Sequence, residues 1–316
     1  MKTISVGVIG AGYLGRFHAL IYSRLPGVRL VGVVDVNPES ARRVAEEAGT
    51  RAFTDPSALL GQVDAVSVVV PTSLHLAVAR PFLEIGVPLL IEKPLAANRE
   101  EGTEILRLAR ASHTMIQVGH VERFNAGVMA LAARIHQPRF IEAQRMGGFV
   151  DRATDVDVVS DLMIHDIDIV LSLVDAEITH LSAIGTPVLT DHIDIANARL
   201  EFANGAVANV VASRVSDTQV RRIRVFEENA YLSLDFIDQR LDIARPRPRP
   251  GERWPEIVRE RVEIVPVKPL DAELEAFIQC VRTGAPPLVD GAVGLRALEV
   301  ALQVKDCILA GGGGDD

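Results

Sequence analysis

Cysteine is nearly absent from this chain: Cys280 and Cys307 are the only two among 316 residues. No Cys-x-x-Cys or Cys/His spacing builds a zinc site, and both cysteines fall in helical patterns that predict buried thiols. An excess of positive charge is missing too. Thirty-three Lys and Arg stand against 42 Asp and Glu, a formal charge of −9. General nucleic-acid binding draws on Lys and Arg against phosphates, so this balance argues against it, and no helix-turn-helix pattern occurs. A local arginine cluster could still receive an anionic substrate. No apolar run approaches the roughly 18 residues of a membrane helix. No signal-peptide pattern precedes the first strand, and the expected compartment is a reducing cytoplasm. There is no internal repeat, and residues 311–316, all Gly and Asp, are expected to be a disordered tail.

What is present is apolar and periodic. Forty-eight per cent of the residues are hydrophobic, and the length exceeds what a single core comfortably serves, so two domains are expected. Over the first 120 residues, apolar runs at 4–9, 30–34, 65–70, 89–91 and 115–118 alternate with amphipathic stretches at 12–25, 38–48, 73–85 and 99–111. A short strand is expected at Ala52-Phe53. Asn37-Pro38-Glu39 and Asp55-Pro56-Ser57 read as helix starts. Continuous apolar strands imply burial on both faces, hence a parallel, doubly wound sheet. Beyond Phe124 the pattern changes. A helix at 125–135 and a strand at 140–146 lead to a helix over 160–174. Alternating segments at 178–188, 195–202, 206–214, 221–227, 231–236 and 262–267 then predict a largely antiparallel sheet. Residues 245–255 read as a loop. Helices at 271–283 and 293–310 are expected to pack back on the first domain. The domains are therefore 1–121 and 122–310.

Gly10-Ala11-Gly12-Tyr13-Leu14-Gly15 follows the first strand and opens a helix, and Asp35 stands 20 residues beyond Gly15 at the end of the second strand. Gly10 permits the tight turn, Gly12 admits a pyrophosphate to the backbone, and Gly15 lets helix and strand pack closely. The helix N-terminus offers free N–H groups to phosphates. Asp35 can accept hydrogen bonds from ribose hydroxyls and would repel a 2′-phosphate, which favours NAD over NADP; Arg42 and Arg43 could soften that preference. Pro71 and Thr72 end the fourth strand at the level of the nicotinamide, and with His75 they are candidate cofactor contacts. The alternative for His75 is a surface residue at a helix start.

Lys93 closes the apolar run Val87-Pro88-Leu89-Leu90-Ile91 and sits between Glu92 and Pro94, at a strand's carboxyl end where ligands bind in open α/β sheets. A second constellation is Asp161, His165 and Asp168, which share one face of a helix at i, i+4 and i+7. A carboxylate one turn before a histidine can hold the imidazole for removing a hydroxyl proton as hydride leaves. A solvated charged face and a metal site are the alternatives, the latter less favoured.

The Gly turn, Glu92-Lys93-Pro94 and Asp161-x-x-x-His165 in this order resemble the Gfo/Idh/MocA oxidoreductase family across nearly the whole chain. The resemblance implies an α/β protein with an N-terminal Rossmann domain and a C-terminal α+β domain. The open, mostly antiparallel sheet of the second often forms an oligomer interface, so a homodimer or homotetramer is implied. It also implies NAD as cofactor, with Glu92 and Lys93 near it, Lys93 orienting or polarising the reacting oxygen, His165 as general base and Asp161 as its partner. The segments 117–125 and 160–168 look like the branch that oxidises the 3-hydroxyl of UDP-N-acetylglucosamine. In that setting His120, Arg123, Asn125 and Arg152 are candidate substrate contacts, and Arg145 could face a diphosphate. Many members carry a glycine run where this chain has Val158-Val159-Ser160, and many differ at His120. A free-sugar or inositol dehydrogenase is the alternative within the family. A non-catalytic NAD-binding regulator is the alternative outside enzymes, and a biliverdin-reductase-like role shares the fold.

Overall fold

The computed structural model describes residues 3–149 and 156–311. The chain forms two compact units. One takes the chain up to Val121 together with Lys268–Leu298, and the other takes Glu122–Val267 and the chain from Glu299 onward.

In the first unit, β1 (Ile4–Ile9), β2 (Val28–Val34), β3 (Arg51–Phe53), β4 (Ala65–Val68), β5 (Leu89–Glu92) and β6 (Ile116–Gly119) form a parallel sheet. Its order is β3-β2-β1-β4-β5-β6. The order reverses between β1 and β4, which is where such sheets open a ligand crevice beyond their carboxyl ends. β4, β5 and β6 are buried along their whole length, in keeping with their mostly apolar sequence, and they enclose Ser67, Glu92 and Gln117 as well. Helices α1 (Tyr13–Tyr22), α2 (Pro38–Ala48), α3 (His75–Glu84) and α4 (Arg99–Ala111) cross between the strands. The Asn37 side chain caps α2 by accepting from the N–H groups of Glu39 and Ser40, and Gly49 ends it at φ 64°. Asn98 caps α4 in the same way through Glu101 N–H. Asp55 caps too, but only a 3₁₀ turn (Pro56–Leu59) follows. Leu60 leaves helical geometry at ψ 130°, and Gly61 turns the chain at φ 72°. Helix α7 (Pro269–Thr283) joins this unit by burying Leu274, Phe277 and Ile278 in one core with Ala19, Ile21 and Tyr22 of α1.

The second unit is built on eight strands, in the order β14-β13-β12-β11-β7-β10-β9-β8. They are β7 (Phe140–Met146), β8 (Ile178–Thr186), β9 (Ile195–Phe202), β10 (Val207–Ser213), β11 (Val220–Glu227), β12 (Ala230–Asp235), β13 (Arg240–Arg247) and β14 (Glu256–Val262). Every pairing is antiparallel except β7 with β10. Ala203-Asn204-Gly205 makes the β9–β10 turn, with Gly205 at φ 82°. One face buries Ala198, Leu200, Val210, Ile223, Val225 and Leu232, while the register places Asn197 and Ile184 on the other. Helices α5 (Ala126–Ala132) and α6 (Ile164–Leu173) pack on this sheet. Helix α8 (Gly291–Gly311) contributes to both units in turn.

Three expectations need correction. Residues 245–255 are not simply a loop, because β13 runs to Arg247 and pairs with β14. The strand expected at 262–267 instead ends at Val262. These lie at the sheet edge, where β13 buries only Leu241 and Ile243 and β14 only Val262, so the apolar alternation that marks a strand is faint. The helix expected over 160–174 opens with a π-helical turn (Val159–Met163) before α6 begins. A fourth correction concerns the cysteines, expected to be buried: both are free and only half-buried. The expected tail and Arg152 fall outside the described residues, apart from Gly311, which ends α8.

Candidate active site

At the carboxyl ends of β1 and β2 the first unit forms the Gly turn and its acidic partner as a candidate dinucleotide cradle. Gly10 N–H extends the β1–β2 ladder by donating to Val34 O at 2.7 Å. Gly10 then turns at φ 103°, and a Cβ there would lie 2.1 Å from Val69 O. A Cβ on Gly15 would lie 1.9 Å from Gly10 O, so helix and turn meet at backbone distance. Gly12 is different. A Cβ there meets no protein atom within 4 Å, so its surface is open to a ligand. Gly12 also precedes α1 with no side-chain cap and no acidic residue in the first turn, leaving N–H groups directed outward. Tyr13 and Leu14 beside it are exposed.

Asp35 is held in place by the cradle it serves. Its two carboxylate oxygens accept from Ala11 N–H at 2.7 Å and Asn37 N–H at 2.8 Å. A carboxylate has about four lone-pair positions, so acceptor capacity remains for ribose hydroxyls. The open space at Gly12, the free helix N-terminus and the oriented carboxylate fit NAD, the first two through main-chain atoms. Arg42 donates to Pro38 O in its own helix at 3.2 Å.

The ends of β4 and β5 hold the other candidates of this unit. Pro71 is exposed and Thr72 half-exposed at the start of a 3₁₀ turn. His75 corrects the expectation of a cofactor contact, because it is buried and both ring nitrogens face main-chain carbonyls. Nε2 lies 3.0 Å from Val70 O and Nδ1 3.2 Å from Leu95 O. Burial pushes its pKa below the ordinary histidine value. The ring thus braces the loop carrying Pro71 and Thr72 against the loop carrying Lys93. Lys93 is half-buried and joined to Pro94 by a cis peptide bond. Glu92 is buried, with Oε1 3.2 Å from His18 Nε2, and its Oε2 accepts from Lys93 N–H at 3.3 Å. Burial opposes ionisation of Glu92, but His18 and Lys93 outweigh it and hold the carboxyl below its usual range. His120 is buried just beyond β6.

In the second unit Asp161 lies in the π turn and His165 in the first turn of α6, both half-buried. The turn is pinned from below. Asp157 accepts from Ser160 N–H at 2.8 Å and pairs with Lys305 at 2.8 Å. Asp168 is not on a solvated face but buried, with its carboxylate 3.4 Å from Arg123 Nη1. The wider π turn changes the angular spacing of Asp161 to His165, on which part of the i, i+4, i+7 reading rests. Arg123 is therefore engaged by Asp168. Asn125, also expected to meet substrate, is buried and caps α5 by accepting from Gly127 N–H at 2.9 Å. Arg145 does not offer itself to a diphosphate. It makes a bidentate pair with Asp166 at 2.8 and 2.9 Å, donates to Glu122 at 2.8 Å, and stacks over Phe236 at 5.3 Å.

Sequence reasoning missed His18, Asp157 and Lys305. The signal for His18 was its place on α1 facing the sheet. Among the described residues no group of three His, Cys, Asp or Glu is arranged to hold a metal ion. No helix there is long and apolar enough to cross a membrane. A concavity of about 850 Å³ lies at the opposite, amino ends of β5 and β6, lined by Pro88, Ile116 and Cys280. That is the wrong end of a parallel sheet for a dinucleotide.

Residues 4–120 match the family description "Oxidoreductase family, NAD-binding Rossmann fold" of Gfo/Idh/MocA, and residues 127–233 match that family's C-terminal domain. UDP-N-acetylglucosamine 3-dehydrogenase from Acidithiobacillus ferrooxidans is 40% identical over 98% of this chain and 99% of its own. Its solved structure superposes with a TM-score of 0.92 over 98% of this chain and 99% of that one. The NAD-dependent scyllo-inositol 2-dehydrogenase of Bacillus subtilis is 28% identical over 96% of this chain and 93% of its own. An Agrobacterium radiobacter oxidoreductase solved with NAD+, L-tartaric acid and magnesium shares the fold, with a TM-score of 0.87 at 18% identity, covering 98% of this chain and 97% of that one.

Proposed function

The chain belongs to the Gfo/Idh/MocA oxidoreductase family, and from that premise we propose that it oxidises the 3-hydroxyl of UDP-N-acetylglucosamine, or of a close nucleotide sugar, with NAD. The observation that carries this reading is the near full-length 40% identity to a dehydrogenase of that name. The nicotinamide supplies the hydride acceptor when bound. The remaining steps belong to this chain. Gly12 and the first turn of α1 receive the pyrophosphate, and Asp35 accepts from the ribose hydroxyls. The Lys93 ammonium polarises and orients the reacting oxygen. His165 takes the hydroxyl proton, and Asp161 orients the imidazole.

The test is a purified-enzyme screen of UDP-sugars, free sugars and inositols, following NADH absorbance. Turnover confined to UDP-N-acetylglucosamine and its neighbours is expected. Preference for inositols would move the chain toward the activity of the Bacillus relative. NAD binding without reduction across the panel would revive the regulator. Assembly into a homodimer or homotetramer through the exposed sheet face belongs to the same proposal, supported by Ile184, which is 73% exposed there. Light scattering on the eluting protein checks it, and a monomer would refute it. A cytoplasmic setting, where NAD is held, completes the proposal.

A further inference from the structure

Directly before Lys93 lies a buried contact between an imidazole and a carboxylate that the dinucleotide cradle does not use. His18, on α1, is fully enclosed, and its Nε2 comes within 3.2 Å of Glu92 Oε1. The other oxygen of Glu92 receives the peptide N–H of Lys93 at 3.3 Å. The third wall is Gly119 at the end of β6, where a Cβ would lie 2.9 Å from all three atoms of the carboxyl group. Tyr22, one turn beyond His18, sets its ring edge-on to the imidazole at 6.4 Å, and its hydroxyl bonds Ser67 Oγ at 2.8 Å. Folding does not call for such a pair, since well-packed apolar side chains usually serve a core as well or better.

We propose that His18 and Glu92 form a positioning pair for Lys93, which rests on the reading of Lys93 as the group that polarises the substrate oxygen. α1 carries the phosphate-facing N–H groups at its first turn and His18 a turn further on. The imidazole fixes the carboxylate, the carboxylate fixes the peptide N–H of Lys93, and the lysine side chain extends from that peptide. The helix that seats the dinucleotide thereby also sets the lysine. Displacements of about 1 Å at a reacting group cost on the order of a hundredfold in rate.

Gly119→Ala tests this without touching an ionisable residue. The methyl group meets the far end of a flexible side chain, so the fold survives while the carboxylate must leave the Lys93 N–H. His18→Leu removes the anchor, and His18→Gln keeps an N–H donor. With NAD and UDP-N-acetylglucosamine, Gly119→Ala and His18→Leu are expected to lower kcat about 10- to 100-fold. The NAD dissociation constant should move less than about threefold, and His18→Gln should restore most of the rate. A kcat that is unchanged, or that falls only in step with NAD binding or melting temperature, overturns the proposal. A substrate-free arm separates this from failure of the functional reading. The chain has only four lysines, Lys2, Lys93, Lys268 and Lys305, so acylation of Lys93 by an amine reagent can be followed by mass spectrometry. Its rate relative to the other three should change several-fold in Gly119→Ala and His18→Leu even if UDP-N-acetylglucosamine is not turned over. An unchanged rate overturns the positioning role.

Discussion

In the first unit the groups proposed to receive the dinucleotide are held by the main chain: Gly10 turned against Val69 O, Gly12 left open, and Asp35 gripped by two peptide N–H groups. In the second unit side chains hold one another, through Arg145 with Asp166 and Glu122, Arg123 with Asp168, and Asp157 with Lys305. A site built from backbone is vulnerable to added atoms, because a peptide has nowhere to move. A site built from ion pairs is vulnerable to removed atoms, because the partner left behind is a buried charge without compensation.

The largest expected effect lies in the second unit. Arg145→Ala strands two carboxylates and should cost about 3–5 kcal/mol of stability, read by chemical denaturation. A loss below about 1 kcal/mol would show that the ion network is not what holds that unit. Next, Lys93→Ala should lower kcat/KM about 10²- to 10³-fold while NAD affinity is spared; retained activity would remove Lys93 from the reaction. The glycines then give the sharpest contrast. Gly10→Ala meets Val69 O and a left-handed φ, and should destabilise the fold by about 1–3 kcal/mol. Gly12→Ala meets no protein atom, so melting should not change while the NAD dissociation constant rises about tenfold. Equal effects on both would mean that Gly12 serves the fold rather than the ligand.

The smallest effect is set by pH. Hydrogen bonds from Lys305 and Ser160 outweigh burial and hold the Asp157 carboxyl below the ordinary 3.8. Its folded pKa is thus lower than its unfolded one, so its contribution is fully present above about pH 4 and is lost as pH falls through the depressed folded value. Asp157→Asn should be less stable than wild type by about 1 kcal/mol at pH 7. That gap should close in acid; a gap independent of pH would assign the effect to packing.

Much of the first unit was legible because its signals are local. Asn37-Pro38 caps its helix through neighbours two and three residues away, and a strand buried on both faces is apolar at most of its positions. The Gly turn and Asp35 were legible for the same reason. The edge strand β14 and its neighbour β13 were not, since a strand that buries few side chains writes little periodicity into the sequence. His75, Arg123, Asn125 and Arg145 were read as ligand contacts from residue type. Their neighbours in space, Leu95, Asp168, Gly127 and Asp166, engage them instead.

By itself the sequence determined the parallel sheet and its order of elements, the glycine turn with Asp35 beside it, and Lys93 at the end of β5. Each depends on steric or hydrogen-bonding rules that act over a few residues. Only the tertiary structure decided which polar side chains are available and which are consumed. It closed His75 between two carbonyls, widened the turn at Asp161, buried Asp168 against Arg123, and brought His18 to Glu92 across 74 positions of chain. A buried charge needs a partner wherever the fold can supply one, and sequence distance does not reveal who that partner is.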